Sequence, residues 1–456
     1  MTAHHIGHNC QTCANGTQTT YTYGAGSQLS AVSHQLTALS QQINKAEYLY
    51  NPVGNRTSLT DRRGSQSFGY DTLDRLTSAS HPLLATPQAF AYDPVGNRTT
   101  GGSVVNAGNQ LMADSHFAYQ YDDNGNLTRK TLLATGNYTQ YTYDAENRLT
   151  KVEDFVAGAS TPAATSTYRY DGLGRRIQKT LSTQTSALST SYVYDGEDIL
   201  LEYDGANVLQ ARYTHGPGID EPLAVTKGGA TFFYHQDGLG TVTDLTDAAG
   251  ATAKSYSYDA YGNILESPGT VEQPYTYTGR EFDAESGLYY YRARYYDSVV
   301  GRLLQQDPIG LANGDPNLYI YVEDNPLNLV DPNGEAPRLP RPPKPPKQKS
   351  PEPDKKGNPG QKSTPNPKPT CKLLYKQPPG ALLNPCDKCW SCTYWCTGRG
   401  FIGGPPAVHR YQIGGCADLK GHGYVPGYAL PGACAAAAGA GGTANPFEGL
   451  YPGDEP

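Results

Sequence analysis

The stretch "YTYDAENRLTKVED", residues 141–154, decides the fold. Tyr141 and Tyr143 are two residues apart, so both side chains lie on the same face of an extended strand. The letters "DAEN" are typical of tight turns, because Asp and Asn tolerate left-handed backbone conformations. The following "RLTKV" is suited to return as the partner strand. The stretch therefore predicts a β-hairpin.

The same pattern recurs along most of the chain. Near copies are "YNPVGNRTSLTD" from Tyr50, "YDPVGNRTT" from Tyr92 and "YDGLGRRIQKT" from Tyr170. The second tyrosine of each unit falls at Tyr50, Tyr70, Tyr92, Tyr121, Tyr143, Tyr170, Tyr194 and Tyr258. A repeat of this length is typical of arrays. Because a single hairpin cannot bury its own face, we expect the hairpins to join edge to edge into one long sheet.

Charge is distributed unevenly. Residues 1–335 hold 21 Lys and Arg against 36 Asp and Glu, whereas residues 336–370 hold nine against two. The acidic repeat region argues against nucleic-acid binding by the repeats. The sequence contains no run of 18 apolar residues, so no membrane span is expected. The N-terminus lacks the basic and apolar regions of a signal peptide, so export would need a specialised secretion system.

The repeats resemble the tyrosine-aspartate (YD) repeats of bacterial Rhs proteins. The segment "YTYTGREFDAESGLYYYRARYYDSVVGRLLQQDPIGLANGDPNLYIYVEDNPLNLVDPNG", residues 275–334, closely resembles the Rhs repeat-associated core. The resemblance covers about residues 20–334. It implies an all-β protein whose YD hairpins form a curved, spiralling sheet, here a partial shell. It also implies a variable C-terminal toxin that is released by self-cleavage at the end of the core.

Two Asp-Pro pairs in the core form the candidate catalytic site. They begin at Asp307 and Asp331, and each alone is a common turn sequence. Two carboxyl groups brought together can share a proton, so that one activates water while the other donates a proton. The spacing does not show that they meet. The resemblance implies that they do, in an aspartyl-protease-like site that an upstream arginine assists, and Arg294 matches that arginine.

The resemblance places the cut just after the second motif, at Gly334, Glu335 and Ala336. Here the motif reads "DPNGE", with Glu335 where the family has leucine. We expect self-cleavage between Gly334 and Arg338, next to Glu335. Arg292 precedes Arg294 by two residues, so we expect it on the same strand face, where it could replace Arg294 in part.

These patterns divide the chain into five parts. They are an unassigned leader with a CxxC motif (1–19), the YD repeats (20–274), the core (275–335), a proline-rich basic linker (336–370) and a cysteine-rich domain (371–456). The linker carries 12 prolines and nine basic residues. It is too polar to form a hydrophobic core, and we expect it to be disordered and extended.

The cysteine-rich domain allows three interpretations. Its seven cysteines include Cys386, Cys389, Cys392 and Cys396 in a CxxCxxCxxxC run. A disulfide framework is preferred, because so small and glycine-rich a segment needs covalent support. Zinc is the second candidate, with those cysteines and Cys416, His409 or His422 as ligands, and an iron–sulfur cluster is the third. His409 and His422 are also candidate functional residues. No cofactor is expected in the repeats.

The preferred hypothesis is an Rhs-type polymorphic toxin whose β-repeat scaffold carries a C-terminal effector for competition with bacteria or attack on a host. Such a protein is cytoplasmic before export and secreted or surface-bound afterwards. Its expected partners are an export machinery or delivery partner and a cognate immunity protein. The alternatives are a non-enzymatic adhesive surface protein with a disulfide-stapled binding module, and an inactive Rhs fragment.

Overall fold

The structure is a computed structural model that describes residues 6–24 and 26–340, together with the strands Thr370–Gln377, Trp390–Thr397 and Val408–Ile413. It forms two compact units, residues 1–348 and 349–456. In the described residues the regular structure is β-strands and short 3-10 turns, so the prediction of an all-β protein is confirmed. None of the described helices is long and apolar enough to cross a membrane.

The first sheet has eight strands in chain order. They are β1 (Ile6–Thr12), β2 (Thr17–Tyr23), β3 (Leu29–Leu36), β4 (Gln41–Tyr50), β5 (Arg56–Asp61), β6 (Gly64–Tyr70), β7 (Leu76–Ala79) and β8 (Gln88–Ala89).

The second sheet has fifteen strands, again in chain order. They are β9 (Val104–Val105), β10 (Leu111–Ala113), β11 (Phe117–Tyr121), β12 (Leu127–Leu132), β13 (Tyr138–Tyr143), β14 (Leu149–Phe155), β15 (Ala164–Tyr170), β16 (Arg176–Thr183), β17 (Ala187–Asp195), β18 (Asp198–Asp204), β19 (Leu209–His215), β20 (Pro222–Lys227), β21 (Ala230–Gln236), β22 (Val242–Thr246) and β23 (Thr252–Ser255). The order is linear, so the sheet is open.

Smaller elements complete the first unit. They are the hairpin of β24 (Ser257–Tyr258) and β25 (Ile264–Glu266), the sheet of β26 (Glu281–Asp283), β27 (Leu288–Tyr291), β28 (Arg294–Asp297) and β29 (Arg302–Leu303), and 3-10 turns at Thr37–Leu39, Tyr277–Gly279, Gly310–Asn313 and Val322–Asp324. In the second unit, β30 (Thr370–Gln377), β31 (Trp390–Thr397) and β32 (Val408–Ile413) form a three-stranded antiparallel sheet.

The hairpin predicted from residues 141–154 is confirmed. Strands β13 and β14 pair antiparallel, with Tyr141 opposite Val152 and Tyr143 opposite Leu149. In the turn, the Asp144 Oδ1 atom accepts hydrogen bonds from the amides of Glu146 and Arg148 at 2.9 and 3.0 Å. The repeated Asp therefore fixes the turn through its side chain.

The second tyrosine of each unit ties neighbouring units together. The Tyr143 hydroxyl donates a hydrogen bond to the carbonyl of Leu127, at the start of the previous return strand, at 2.8 Å. The same contact recurs for Tyr50, Tyr70, Tyr92, Tyr170, Tyr194 and Tyr258. At one position His215 takes its place, with its Nε2 atom 2.9 Å from the Ile199 carbonyl. These contacts form a ladder that explains why tyrosine, and not phenylalanine, is repeated.

The core segment packs against the repeat sheet. Leu288, Tyr290 and Tyr295 share a buried cluster with Leu149 and Tyr168 of β14 and β15. A buried ion pair adds to this contact. The Arg176 guanidinium, on β16, donates hydrogen bonds to the carboxylates of Asp283 and Glu281. The sheet thus presents one face to the segment that holds both candidate aspartates.

The two large sheets meet along a seam formed by the first sheet and strands β21 and β22. The His34 Nε2 atom lies 2.9 Å from the Gln236 carbonyl, and the Asn44 amide donates to Asp244 at 2.9 Å. Arg62 pairs with the same aspartate. Polar side chains therefore connect the start of the repeat array to its end.

Candidate functional site

Arg294 is the centre of the candidate site. It begins β28 and is only 3% exposed. Its Nη2 atom lies 3.1 Å from an Asp307 carboxylate oxygen and 3.4 Å from an Asp331 carboxylate oxygen. One guanidinium nitrogen thus faces both aspartates. The three residues that the sequence singled out meet at one buried point.

The other donors of Arg294 hold the backbone. Its Nε atom donates a 2.5 Å hydrogen bond to the carbonyl of Gly334, and Nη1 donates to the carbonyl of Leu318 at 3.1 Å. The Gly334 carbonyl belongs to the peptide bond that precedes Glu335. A cation beside this oxygen polarises the carbonyl and would stabilise negative charge developing there.

The carboxyl groups of the site lie in different surroundings. Burial raises the pKa of Asp307, the nearby charges of Asp331 and Glu335 add to that rise, and Arg294 opposes it. The Asp307 Oδ1 atom also accepts the Ile309 amide at 3.0 Å, so this aspartate forms the turn that its Asp-Pro sequence favours. Burial and the neighbouring carboxylates thus favour the protonated form of Asp307 more than Arg294 and the Ile309 amide oppose it.

Asp331 lies against the expected cut. Its Oδ1 atom accepts hydrogen bonds from the backbone amides of Glu335 and Ala336, both at 3.0 Å. Beyond them the chain pairs with itself: the amide of Val330 donates to the carbonyl of Arg338 at 2.8 Å, and the reverse bond is 2.6 Å. Residues 331–337 therefore form a closed loop, the cleavage loop, with Asp331 in contact with the nitrogen atoms on both sides of Glu335.

Gly334 shapes this loop. Its φ is +71°, a conformation that residues with a side chain rarely adopt. A Cβ atom at this position would lie 2.2 Å from the carbonyl oxygen of Tyr291. The motif needs glycine here because the loop runs directly over β27 and β28.

Arg292 does not lie where the sequence predicted. It precedes β28, in the turn after Tyr291, with a φ of +58°. Its guanidinium donates to the carbonyl of Pro332 and, at 2.9 Å, to the carboxylate of Asp220. The expectation that it shares a strand face with Arg294 is wrong, because the left-handed turn directs it to a different carbonyl of the same loop.

The candidate metal ligands fall mostly outside the described residues. Cys386, Cys389, Cys416 and His422 lie outside them, as do residues 341–369 of the linker. Cys392 and Cys396 lie on β31, and His409 lies on β32 in register with Tyr394. The described part of the chain contains no group of three or more His, Cys, Asp or Glu residues that could hold a metal ion. The disulfide and zinc interpretations therefore stay predictions.

Residues 5–313 match the family model described as the teneurin YD-shell. The chain belongs to this family. It is an Rhs-type YD-repeat protein, as its repeats predicted. A solved structure shares the fold. The match to the crystal structure of TcdB2-TccC3-Cdc42 covers 72% of this chain and 19% of that chain, with a TM-score of 0.52 and 19% identity.

Curated relatives of this YD-shell chain carry toxin and nuclease names. It is 37% identical over 284 residues to the tRNA3(Ser)-specific nuclease WapA of Bacillus spizizenii. The aligned region covers 58% of this chain and 12% of that relative. It is 33% identical over 327 residues to double-stranded DNA deaminase toxin A of Burkholderia cenocepacia, which covers 63% of this chain and 22% of the relative. The chain thus spans less than a quarter of either relative's length. The toxin and nuclease names of these relatives support a polymorphic-toxin scaffold.

Proposed function

We propose that this chain is the scaffold of an exported toxin that cuts its own backbone beside Glu335 and so frees the segment behind the cut as an effector. The observation that carries the proposal is the position of Arg294, which faces both Asp307 and Asp331 and binds the Gly334 carbonyl. The relatives named as toxins support the same role. A delivery machinery and an immunity protein against the effector are the partners that this role requires.

The chemistry follows from the positions of the two carboxyl groups. In this mechanism Asp307, whose pKa is raised by burial, acts as the general acid, and Asp331 acts as the general base. Asp331 takes a proton from water as the water oxygen attacks the carbonyl carbon, and Asp307 gives its proton to the carbonyl oxygen. The carbon then carries two hydroxyl groups. When the C–N bond breaks, Asp331 passes its proton to the departing nitrogen, and one of these hydroxyl groups returns its proton to Asp307 as the carboxylic acid forms. Both aspartates regain their starting state.

Two peptide bonds flank Glu335. The bond before it has its carbonyl on Arg294 and its nitrogen on Asp331, which favours Gly334–Glu335 on geometry. The Rhs resemblance favours the bond after it, whose nitrogen also contacts Asp331. N-terminal sequencing of the small fragment separates the two, because that fragment begins with either Glu335 or Ala336.

The cleavage test compares the full-length wild type with Asp307→Asn and Asp331→Asn. The wild type should yield two fragments on a denaturing gel, and both variants should stay in one piece, because asparagine keeps the shape but cannot carry the proton. Asp259→Asn is the matched control. Asp259 likewise accepts two backbone amides, those of Tyr261 and Asn263 at 2.9 Å, but takes no part in the proposed chemistry. Cutting that persists in both site variants would contradict the mechanism.

The effector part is tested by survival. Bacteria expressing the full chain in the cytoplasm, or directing it to the periplasm, are compared with bacteria expressing a chain that ends at Pro340. Killing by the full chain alone, in either compartment, is the expected result. Equal survival of both strains in both compartments would contradict the toxin proposal.

A further inference from the structure

Three consecutive residues hold three consecutive carbonyl groups of the cleavage loop. Arg292 donates through its side chain to Pro332, the amide of Ala293 donates to Asn333 at 3.2 Å, and Arg294 donates through its side chain to Gly334. The loop is therefore fixed on its upstream side by the turn between β27 and β28. Arg294 belongs to the proposed chemistry, but the role of Arg292 is unassigned.

Arg292 is in turn held by the repeat sheet. Its Nη2 atom lies 2.9 Å from Asp220 Oδ1, and Nη1 lies 3.4 Å from Asp220 Oδ2, so the guanidinium forms a two-pronged contact. Asp220 lies in the loop between β19 and β20. The backbone carbonyl of Glu197, between β17 and β18, accepts a further 3.3 Å bond from Arg292. The contacts that orient Arg292 thus come from the shell and not from the core.

Asp220 itself has little freedom. It is only 8% exposed, and its φ is +61°. The Asp220 Oδ1 atom also accepts a 2.5 Å hydrogen bond from Arg280, which in addition donates to the Tyr290 carbonyl at 2.7 and 3.1 Å. Asp220 therefore lies between two core arginines. It is the nearest of three carboxylates around Arg292, since those of Glu197 and Asp198 lie 3.5 and 3.9 Å from its guanidinium.

We infer that Asp220 is a positioning residue for self-cleavage, and that it acts through Arg292 to hold the cleavage loop over Arg294 and Asp331. This rests on the proposed function. The repeat strands β19 and β20 must then be docked on the core before the site is complete. Cutting is thereby coupled to assembly of the shell, and a chain whose repeats are not yet folded keeps its tail attached.

The test measures the cutting rate of Asp220→Asn and of Arg292→Ala. Both should slow cutting by roughly tenfold to a hundredfold, as expected when a reacting group is displaced by about 1 Å. Asp220→Glu and Arg292→Lys keep the charge and should recover part of the rate. Asp283→Asn is the matched control, because Asp283 forms a buried pair between core and repeat sheet with Arg176, away from the cleavage loop. It should lower the thermal unfolding midpoint and leave the cutting rate within about twofold.

A second measurement does not depend on cutting. In chains that carry Asp307→Asn and stay intact, hydrogen exchange at the amides of Glu335 and Ala336 should become faster when Asp220→Asn is added, and not when Asp283→Asn is added. Unchanged exchange and an unchanged cutting rate in Asp220→Asn would overturn the inference, as would equal slowing of cutting by Asp283→Asn. A wild type that never cuts would overturn the proposed function, and the exchange comparison would still decide whether Asp220 positions the loop.

Discussion

Gly334 shows how one backbone conformation can control the site. Replacing it with alanine adds both the strain of a positive φ and a contact with the Tyr291 carbonyl. Gly287→Ala is the matched control, because Gly287 has a φ of +69° with open space around it. We expect Gly287→Ala to cost about 1 kcal/mol of folding free energy and to leave cutting unchanged. Gly334→Ala should cost more and should slow cutting strongly.

The measurements are urea unfolding and the cutting rate of the two alanine variants. If both variants cut at the wild-type rate, the close approach of the loop to β27 is not needed for the reaction. If both are slowed equally, backbone strain anywhere in the core is sufficient to slow it.

At the residue scale the sequence predicted the site only in part. Asp307, Asp331 and Arg294 follow from the motif resemblance, and the structure brings them together. Their spacing along the chain could not show this, because two turns about 24 residues apart can face any direction. Asp220 carries no signal at all in the sequence, since its role depends on the sheet packing against a segment about 70 residues away.

The tyrosine ladder is the main feature at the scale of strands. Each rung joins one unit to the next, so removing a single hydroxyl should weaken the array without disrupting a hairpin. Tyr143→Phe leaves the Leu127 carbonyl without this donor and should cost about 1 kcal/mol of unfolding free energy. Tyr138→Phe is the control: Tyr138 stacks on Phe155 at 4.7 Å, and its hydroxyl has no partner among the described residues.

Urea unfolding of both phenylalanine variants measures the difference. Equal stability of the two would mean that water replaces the lost hydroxyl at the Leu127 carbonyl.

The hairpins themselves were predictable, because alternating tyrosines and a turn sequence are local signals. The ladder was not, since the spacing gives the face of a tyrosine but not the atom that its hydroxyl reaches.

At the largest scale, the seam joins the two large sheets of the first unit. His34 lies in that seam at 3% exposure, between Thr19 and the Gln236 carbonyl, and its ring is 4.9 Å from that of His235. Burial lowers the pKa of His34 to about 4, and burial also lowers the pKa of His235. Both rings are therefore neutral in the folded protein at pH values where a histidine in an unfolded chain is already charged.

Stability should accordingly fall on acidification. The unfolded chain takes up a proton at His34 near pH 6.5, but the folded chain does so only near pH 4. The free energy of unfolding is therefore unaffected by this group above pH 6.5, and it decreases as pH falls through the window between the two values, by up to about 3 kcal/mol. His34→Gln should flatten this dependence in urea unfolding between pH 4 and 7. His116→Gln changes an exposed histidine and should leave the pH dependence as in the wild type. If the unfolding free energy changed equally with pH in the wild type and both variants, the role of the seam would be contradicted.

Two sets of contacts could not be predicted from the sequence: those of the seam, and those between the core segment and the repeat sheet. The reason is the same for both. Both join parts of the chain that are about 100 to 200 residues apart, such as Asn44 with Asp244 and Arg176 with Asp283. Neither contact leaves a periodic pattern. The joined hairpins could be expected from the repeats and the family resemblance, whereas the ion pairs that hold the repeat sheet against the core segment could not.

The strand pairing of Val330 with Arg338 would have a different energetic effect if the backbone were cut between these residues. In the intact chain its two hydrogen bonds close a short loop within one molecule, so they cost chain entropy but no free translation and rotation of a second molecule. If the chain is cut beside Glu335, Arg338 belongs to the C-terminal fragment, which is a separate molecule. The same two hydrogen bonds then hold one molecule to another. Such bonds contribute about 0.5–1.5 kcal/mol each, less than the 4 kcal/mol or more that association of two molecules costs. By itself this strand pairing would then have no measurable affinity, so any delay between scission and departure must be set by confinement or by other contacts of the severed piece.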